Sequence, residues 1–200
     1  MTLPHSRTAE VATTFSATSG EPLEVLVVGA GQAGLALAWH LNRTPTRYRV
    51  VDAAPEVGHS GRRRWDSLRL FTPGQYDSLP GTPFPAPADA YPGKDEVADY
   101  LRAYAETHAL PILTGTPVQR LRPTSDGFQA QTSQGILRAR QVVVATGPFQ
   151  HPHIPALASS FDPDLPQVHS GDYRNPDQLP DGTILVVGGG NSGLQIAEEL

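Results

Sequence analysis

Two glycine-rich stretches contain the residues whose types and spacing could do chemistry. Both have the spacing G-x-G-x-x-G. In this pattern the first glycine permits a tight turn, the second lets a pyrophosphate approach the backbone, and the third lets a helix pack on a strand. The turn ends at a helix N-terminus, whose free N–H groups bind phosphate. Each stretch therefore predicts a dinucleotide site. The glycines are Gly29, Gly31 and Gly34 in the first stretch and Gly188, Gly190 and Gly193 in the second.

An acidic residue follows the first stretch at the spacing expected for a contact with ribose. The run from Tyr48 to Asp52 predicts a strand that ends in a carboxylate. It lies about 20 residues beyond the first glycine, as a dinucleotide site requires. We therefore expect Asp52 to accept hydrogen bonds from the adenosine ribose. The residues expected to complete the two phosphate-binding turns are Gln32 and Ala33, and Asn191 and Ser192.

Strands must bring these turns to one edge of a sheet. Apolar runs at 25–28, 48–52, 142–147 and 183–187 predict buried strands of the parallel kind. The third run ends in small residues that let a ligand approach the carboxyl edge of the sheet, namely Ala145, Thr146 and Gly147. Between about 117 and 140 a small antiparallel meander is predicted, with turns at Asp126-Gly127 and Gln134-Gly135.

Helices are predicted from the first glycine stretch to about Asn42 and from Lys94 to His108, with Tyr100 and Tyr104 facing the core. Prolines between 73 and 92 predict a long loop. The expected fold class is α/β, a Rossmann-like FAD/NAD(P)-binding fold in which a parallel sheet with helices is joined to a small antiparallel β-meander. Because a βαβ unit needs about 30 residues, the second Rossmann domain is expected to be truncated within this chain.

Three consecutive arginines, Arg62 to Arg64, follow the strand that ends at Asp52. One interpretation is a solvated turn, as for most charge runs. The other is that one or two guanidinium groups bind cofactor phosphates, which arginine does with two parallel hydrogen bonds. Both interpretations stay open at the level of sequence.

Composition excludes several classes of function. The net charge of −5 gives no general affinity for nucleic acid, and the absence of cysteine excludes a disulfide scaffold, a thiolate zinc site and a dithiol redox centre. No apolar run reaches the roughly 20 residues of a membrane span, and no secretory signal begins the chain. We therefore expect a cytoplasmic protein without nucleic-acid or membrane partners. No metal site is expected, because His151 and His153 have no carboxylate beside them.

Taken together, these residues resemble the flavin-containing monooxygenase family, in its bacterial and YUCCA-like branch, over about residues 23–200. The first glycine stretch with Asp52 resembles the FAD site, and 188–193 resembles the NADPH site. The remaining similar segments are the loop beside the flavin at 64–73, then 79–81, 84–85, 91–96, 145–147 and the identifying sequence at 169–173. The resemblance implies FAD and NADPH as cofactors. It adds four cofactor-binding residues: Arg64, Trp65, Leu70 and Thr72.

Three places depart from the family pattern. Pro163 and Leu165 stand where the identifying sequence normally opens with Phe and Gly, and Gly61 stands where relatives commonly have Trp. Animal members place an Asn over the flavin roughly where Phe71 or Thr72 stands. No catalytic residue is assigned, because the flavin carries the chemistry.

The resemblance also implies how the chain is divided. Residues 1–22 are rich in Thr, Ser and Ala without apolar periodicity, and we expect a flexible tail there. Residues 23–180 are expected to form the first part of an FAD-binding domain, and 181–200 the incomplete start of an NAD(P)H-binding domain.

The implied function is that of an FAD- and NADPH-dependent monooxygenase, or its N-terminal part. Such an enzyme inserts one oxygen from O2 into a small organic substrate through a flavin peroxide. Two alternatives remain open. One is an NAD(P)H-dependent flavin oxidoreductase without oxygenation, and the other is a truncated cofactor-binding module without turnover. The expected partners are O2 and a small-molecule substrate, and a homodimer is left open.

Overall fold

The first strand, helix and strand of the chain, the helix after the proline-rich loop and the meander follow in the predicted order. The computed structural model describes residues 21–200, so the predicted tail lies outside the described residues except for its last two positions. The strands are β1 Leu23–Val28, β2 Tyr48–Val51, β3 Ile112–Leu113, β4 Val118–Thr124, β5 Gly127–Thr132 and β6 Gly135–Val144. The helices are α1 Gln32–Leu41, α2 His59–Arg62, α3 Lys94–Thr107 and α4 Asn191–Glu199.

All six strands form one sheet in the order β3-β2-β1-β6-β5-β4. The strands β3, β2, β1 and the end of β6 run parallel, whereas β4, β5 and the start of β6 form an antiparallel meander. The long strand β6 therefore belongs to both parts of the sheet. The predicted meander is confirmed, with Gly127 and Gly135 at positive φ in its two turns.

Side chains alternate along β1 and so fill two cores. Val25 and Val27 pack against α1 and α3, and Leu26 packs on the other face against Ala130 and Leu137 of the meander. The parallel sheet is thus covered by helices on one side and by the meander on the other. This arrangement explains why β1 is apolar at successive positions rather than at alternate ones.

Two tyrosines of α3 hold the long proline-rich loop. The hydroxyl of Tyr100 accepts a hydrogen bond from Leu79 N–H (2.6 Å) and donates one to Thr82 O (2.7 Å). The hydroxyl of Tyr104 donates to Pro80 O (2.8 Å). Both rings are buried, as expected. The loop is therefore tied to the helical layer by hydrogen bonds that satisfy buried polar groups.

Two local features differ from the sequence-based expectation. The segment 183–187 is not a strand, because none of the described residues pairs with it, and a strand needs such a partner for its backbone groups. Conversely, β3 has only two residues and carried no sequence signal, yet it pairs in parallel with β2. No helix among residues 21–200 has the length and apolar character needed to cross a bilayer.

The buried phenol of Tyr104 makes stability depend on pH. Burial, together with the neighbouring Tyr100, raises the pKa of Tyr104 from 10.0 to about 12. Unfolded tyrosine loses its proton at a lower pH than the folded residue. The stabilisation that the buried neutral phenol contributes is therefore complete below the pKa of tyrosine in the unfolded chain. It is lost as pH rises from about 10 to about 12. We expect the free energy of unfolding, measured with urea, to fall between about pH 9 and pH 11.5.

Replacing Tyr104 by Phe should remove part of this fall. Replacing Tyr76 by Phe provides the control, because Tyr76 is 71% exposed. A fall that is the same in Tyr104→Phe as in the unchanged protein would contradict the role given to Tyr104.

Candidate functional site

The first glycine turn joins the carboxyl end of β1 to the N-terminus of α1. Gly29 N–H donates to Val51 O of the neighbouring strand (2.7 Å), and Leu35 N–H donates to Gly31 O (2.9 Å) to open the helix. Gly29 has a φ of +111°, a backbone conformation that residues with a Cβ atom rarely adopt. No side chain caps the helix at Gly31. The turn therefore presents uncapped backbone N–H groups at the edge of the sheet.

The three glycines of this turn have different surroundings. A Cβ atom at Gly34 would lie 1.9 Å from the Gly29 carbonyl oxygen, and one at Gly29 would lie 2.4 Å from Ala145 O. A Cβ atom at Gly31 would meet nothing within 4 Å. The protein's own packing therefore requires glycine at 29 and 34 but not at 31. The absent side chain at 31 leaves the backbone open to a ligand.

The second turn repeats this geometry at the start of α4. Gly188 has φ of +119°, and a Cβ atom at Gly193 would lie 2.1 Å from Gly188 O. A Cβ atom at Gly190 would meet nothing within 4 Å. Leu194 N–H donates to Gly190 O (3.0 Å), and no side chain caps the helix. Asn191 and Ser192 form its first turn. The two stretches thus share both spacing and local structure.

Asp52 holds the first turn in place. Its Oδ2 accepts a hydrogen bond from Ala30 N–H (2.6 Å) and its Oδ1 accepts one from Ala54 N–H (2.8 Å). Sequence reasoning missed both contacts, although an acidic residue at a strand end is itself the signal for them. The carboxylate keeps unused lone pairs, so its predicted contact with ribose stays a prediction.

The end of β6 lies beside the same turn. Ala145 N–H donates to Val28 O (2.7 Å), which continues the pairing of β1 with β6. Thr146 and Gly147 are exposed just beyond it, and Gly147 has φ of +70°. The structure therefore brings the predicted strand end and the first glycine turn to one edge, as parallel strands require.

The first two arginines of the run have different environments. Arg62 makes ion pairs with Asp99 (2.6 Å) and Asp95 (3.4 Å) of α3. Arg63 is exposed, and its side chain makes no hydrogen bond or ion pair with residues 21–200. The charge of Arg62 is therefore used within the protein, where it joins α2 to α3.

Arg64, like Arg63, has no acidic partner among residues 21–200, but Arg64 is half-buried. Its guanidinium carbon lies 4.3 Å from the ring centroid of Phe149, and no carboxylate of the described chain forms an ion pair with it. Burial, and then the positive charge of Arg174, lowers the pKa of Arg64 below its ordinary value. Asp66 interacts with Arg174, but no carboxylate among residues 21–200 pairs with Arg64. An anion bound beside the Arg64 guanidinium would therefore be stabilised.

The other residues implied by the resemblance already have protein partners. Trp65 is 4% exposed and packs with Tyr173 and Ile196. Leu70 N–H donates to Pro92 O (2.8 Å), and Thr72 Oγ1 donates to Asp77 Oδ1 (2.5 Å). Their cofactor contacts stay predictions. No group of three His, Cys, Asp or Glu residues that could hold a metal occurs among residues 21–200.

One contact joins the two candidate sites and was not predicted. Gln195 of α4 exchanges two hydrogen bonds with the backbone of Arg69, in the 64–73 loop. The two residues are 126 positions apart. No local sequence signal could have found this pair, because it depends on how α4 packs.

Comparison with known proteins agrees with this geometry. A protein described as "uncharacterized oxidoreductase CzcO-like" from Geobacillus kaustophilus is 47% identical over 178 residues, which are 89% of this chain and 51% of the relative. Indole-3-pyruvate monooxygenase YUCCA1 of Oryza sativa is 30% identical, over 88% of this chain and 44% of that protein. A flavin-containing monooxygenase from Stenotrophomonas maltophilia superposes with a TM-score of 0.83 at 35% identity, over 90% of this chain and 55% of that one.

The chain thus spans about half the length of the curated relatives it matches. The predicted Rossmann-like fold and the resemblance to flavin-containing monooxygenases are confirmed. The sequence model of the pyridine nucleotide-disulphide oxidoreductases matches residues 26–200, and the chain therefore belongs to the pyridine nucleotide-disulphide oxidoreductase family.

Proposed function

We propose that this chain binds FAD at the first glycine turn and NADPH at the second. We propose further that the whole protein is a flavin-dependent monooxygenase, which inserts one oxygen from O2 into a small organic substrate. The observation that carries this proposal is the open position at Gly31 and again at Gly190. The glycines around Gly31 are required by packing, and in the second turn packing requires Gly193 and the positive φ favours glycine at 188. The names of the similar proteins support the class of reaction.

The residues of the first turn fit the pyrophosphate of FAD. The uncapped N–H groups at the start of α1, from Gln32 and Ala33, would bind the phosphate oxygens at the positive end of the helix. Asp52, which already fixes Ala30, would hold the adenosine ribose. Arg64 would add a cation that has no acid of its own.

The second turn would bind the pyrophosphate of NADPH through Asn191 and Ser192 in the same way. When bound, the nicotinamide and the flavin supply hydride transfer and the reaction with O2, whereas the protein binds, orients and excludes water. The choice of NADPH over NADH follows the family resemblance. Residues 145–147 would line the flavin from the end of β6.

A flavin oxidoreductase without oxygenation is the second candidate. Phe71 has no polar side-chain atom and is 69% exposed, and the hydroxyl of Thr72 is bound to Asp77. Neither residue offers the amide that animal monooxygenases place over the flavin. Incorporation of label from isotopic O2 into the product separates the candidates, because a reductase transfers no oxygen to its substrate.

The first prediction for this function concerns Gly31 and Gly34. Gly31→Ser should weaken FAD binding by about 1.5–3 kcal/mol or more, because the displaced pyrophosphate loses hydrogen bonds. It should leave unfolding nearly unchanged, since serine is a good N-cap residue and the site is open. Gly34→Ala should instead lower the free energy of unfolding by about 1–3 kcal/mol through overpacking.

Titration with FAD and urea unfolding of the dinucleotide-free protein test both variants. Equal FAD affinity of Gly31→Ser and the unchanged protein would show that the first turn does not bind pyrophosphate.

The second prediction concerns Asp52. Replacing it by Ala leaves Ala30 N–H and Ala54 N–H without their charged acceptor, so the free energy of unfolding should fall by about 1.5–3 kcal/mol. Asp52→Asn keeps one oxygen acceptor, so its free energy of unfolding should lie between those of Asp52→Ala and the unchanged protein. A loss of FAD affinity in these variants would not by itself identify a ribose contact, because displacement of the glycine turn also weakens FAD binding.

An FAD analogue that lacks the ribose 2′-hydroxyl isolates the ribose contact. The unchanged protein should bind the analogue more weakly than FAD, whereas Asp52→Ala should bind both equally, as a double-mutant cycle requires. If the unchanged protein does not distinguish the two ligands, Asp52 has only the structural role.

A further inference from the structure

Gln195 pairs with one backbone unit of the 64–73 loop. Its Oε1 accepts a hydrogen bond from Arg69 N–H (3.3 Å), and its Nε2 donates one to Arg69 O (2.9 Å). On its other side the loop bridges antiparallel to Gly93, where the chain enters α3. The Gln195 amide thus pairs with the backbone N–H and C=O of Arg69 that point away from Gly93, as a neighbouring strand would.

An apolar contact next to Gln195 brings the two segments together. Ile196 is 7% exposed and packs with Trp65 (4%) and Tyr173 (3%). Apolar burial holds surfaces together but has no direction. The two hydrogen bonds of Gln195 have defined geometry. They therefore fix both the position of α4 along its axis and its rotation about that axis, relative to the loop.

The position of Gln195 links the two candidate sites. It follows the second glycine turn directly, about 7 Å along the helix from Gly190 at 1.5 Å per residue. The 64–73 loop that it holds begins at Arg64, beside Phe149, and ends near Thr72. A rigid helix therefore carries any displacement at Arg69 to the backbone that would bind the second dinucleotide.

We propose that Gln195 is a positioning residue, which sets the place of the second dinucleotide turn relative to the flavin. This proposal rests on the proposed function. The two bound cofactors would supply hydride transfer, in which one hydride, two electrons with one proton, would pass from the dihydronicotinamide to the flavin. The reacting atoms must lie about 3–3.5 Å apart, and a misplacement of about 1 Å can cost about a hundredfold in rate.

Hydrogen exchange of the Arg69 amide tests the contact without any cofactor. The amide should be protected in the unchanged protein, and Gln195→Ala should speed its exchange about fivefold, the size of an ordinary hydrogen bond. Gln195→Glu keeps the acceptor for Arg69 N–H and should keep the protection. Glu198→Ala is the matched control, because Glu198 is exposed on the same helix.

Flavin reduction by NADPH without oxygen tests the consequence in the FAD-loaded protein. Gln195→Ala should lower the limiting rate of reduction about ten- to a hundredfold. The Kd for NADPH should change by less than about twofold, since no phosphate contact is lost. FAD content should stay constant. Gln195→Glu, which keeps one of the two bonds, should be intermediate, and Glu198→Ala should match the unchanged protein.

The outcomes separate the two proposals. An Arg69 amide that exchanges equally fast in the unchanged protein and in Gln195→Ala overturns the contact, whatever the protein binds. An unchanged reduction rate in Gln195→Ala, or a loss of NADPH affinity by the same factor as the rate, overturns the positioning role. An unchanged protein that takes up neither FAD nor NADPH contradicts the proposed function instead.

Discussion

The close approach of backbone to backbone at the first glycine turn is the constraint on which the rest of the structure depends. The carbonyl oxygen of Gly29 occupies the place that a Cβ of Gly34 would need, and Ala145 O occupies the place that a Cβ of Gly29 would need. These contacts set α1 directly over the ends of β1 and β6. Because interiors are close-packed, a side chain at either glycine would displace the backbone at this junction, whereas position 31 stays open to a ligand.

Polar contacts join the outer layers to one another. Arg62 ties α2 to α3 through Asp99, and the hydroxyls of Tyr100 and Tyr104 tie the proline-rich loop to α3. Buried hydroxyls of this kind lose free energy when they are left unpaired. The loop is therefore a fixed part of the helical layer.

The two dinucleotide turns share local geometry but differ in support. The first is surrounded by β1, β2 and β6, with Asp52 bound to the turn itself. The second is preceded by an unpaired segment among the described residues, and α4 rests on Trp65, Tyr173 and the backbone of Arg69. Among residues 21–200, the second turn is held through contacts of α4 with the 64–73 loop and Tyr173.

The sequence by itself determined most of the elements, both turns and the family, because these depend on local spacing. Glycine positions define a turn within six residues, and apolar runs define the strands. Only the tertiary structure decided which arginine pairs with acids, since the three consecutive arginines are alike in sequence and only Arg62 forms ion pairs within residues 21–200. It also decided that residues 183–187 pair with no strand within 21–200 and that Gln195 contacts Arg69. Contacts between residues far apart in the chain depend on packing, which no local pattern records.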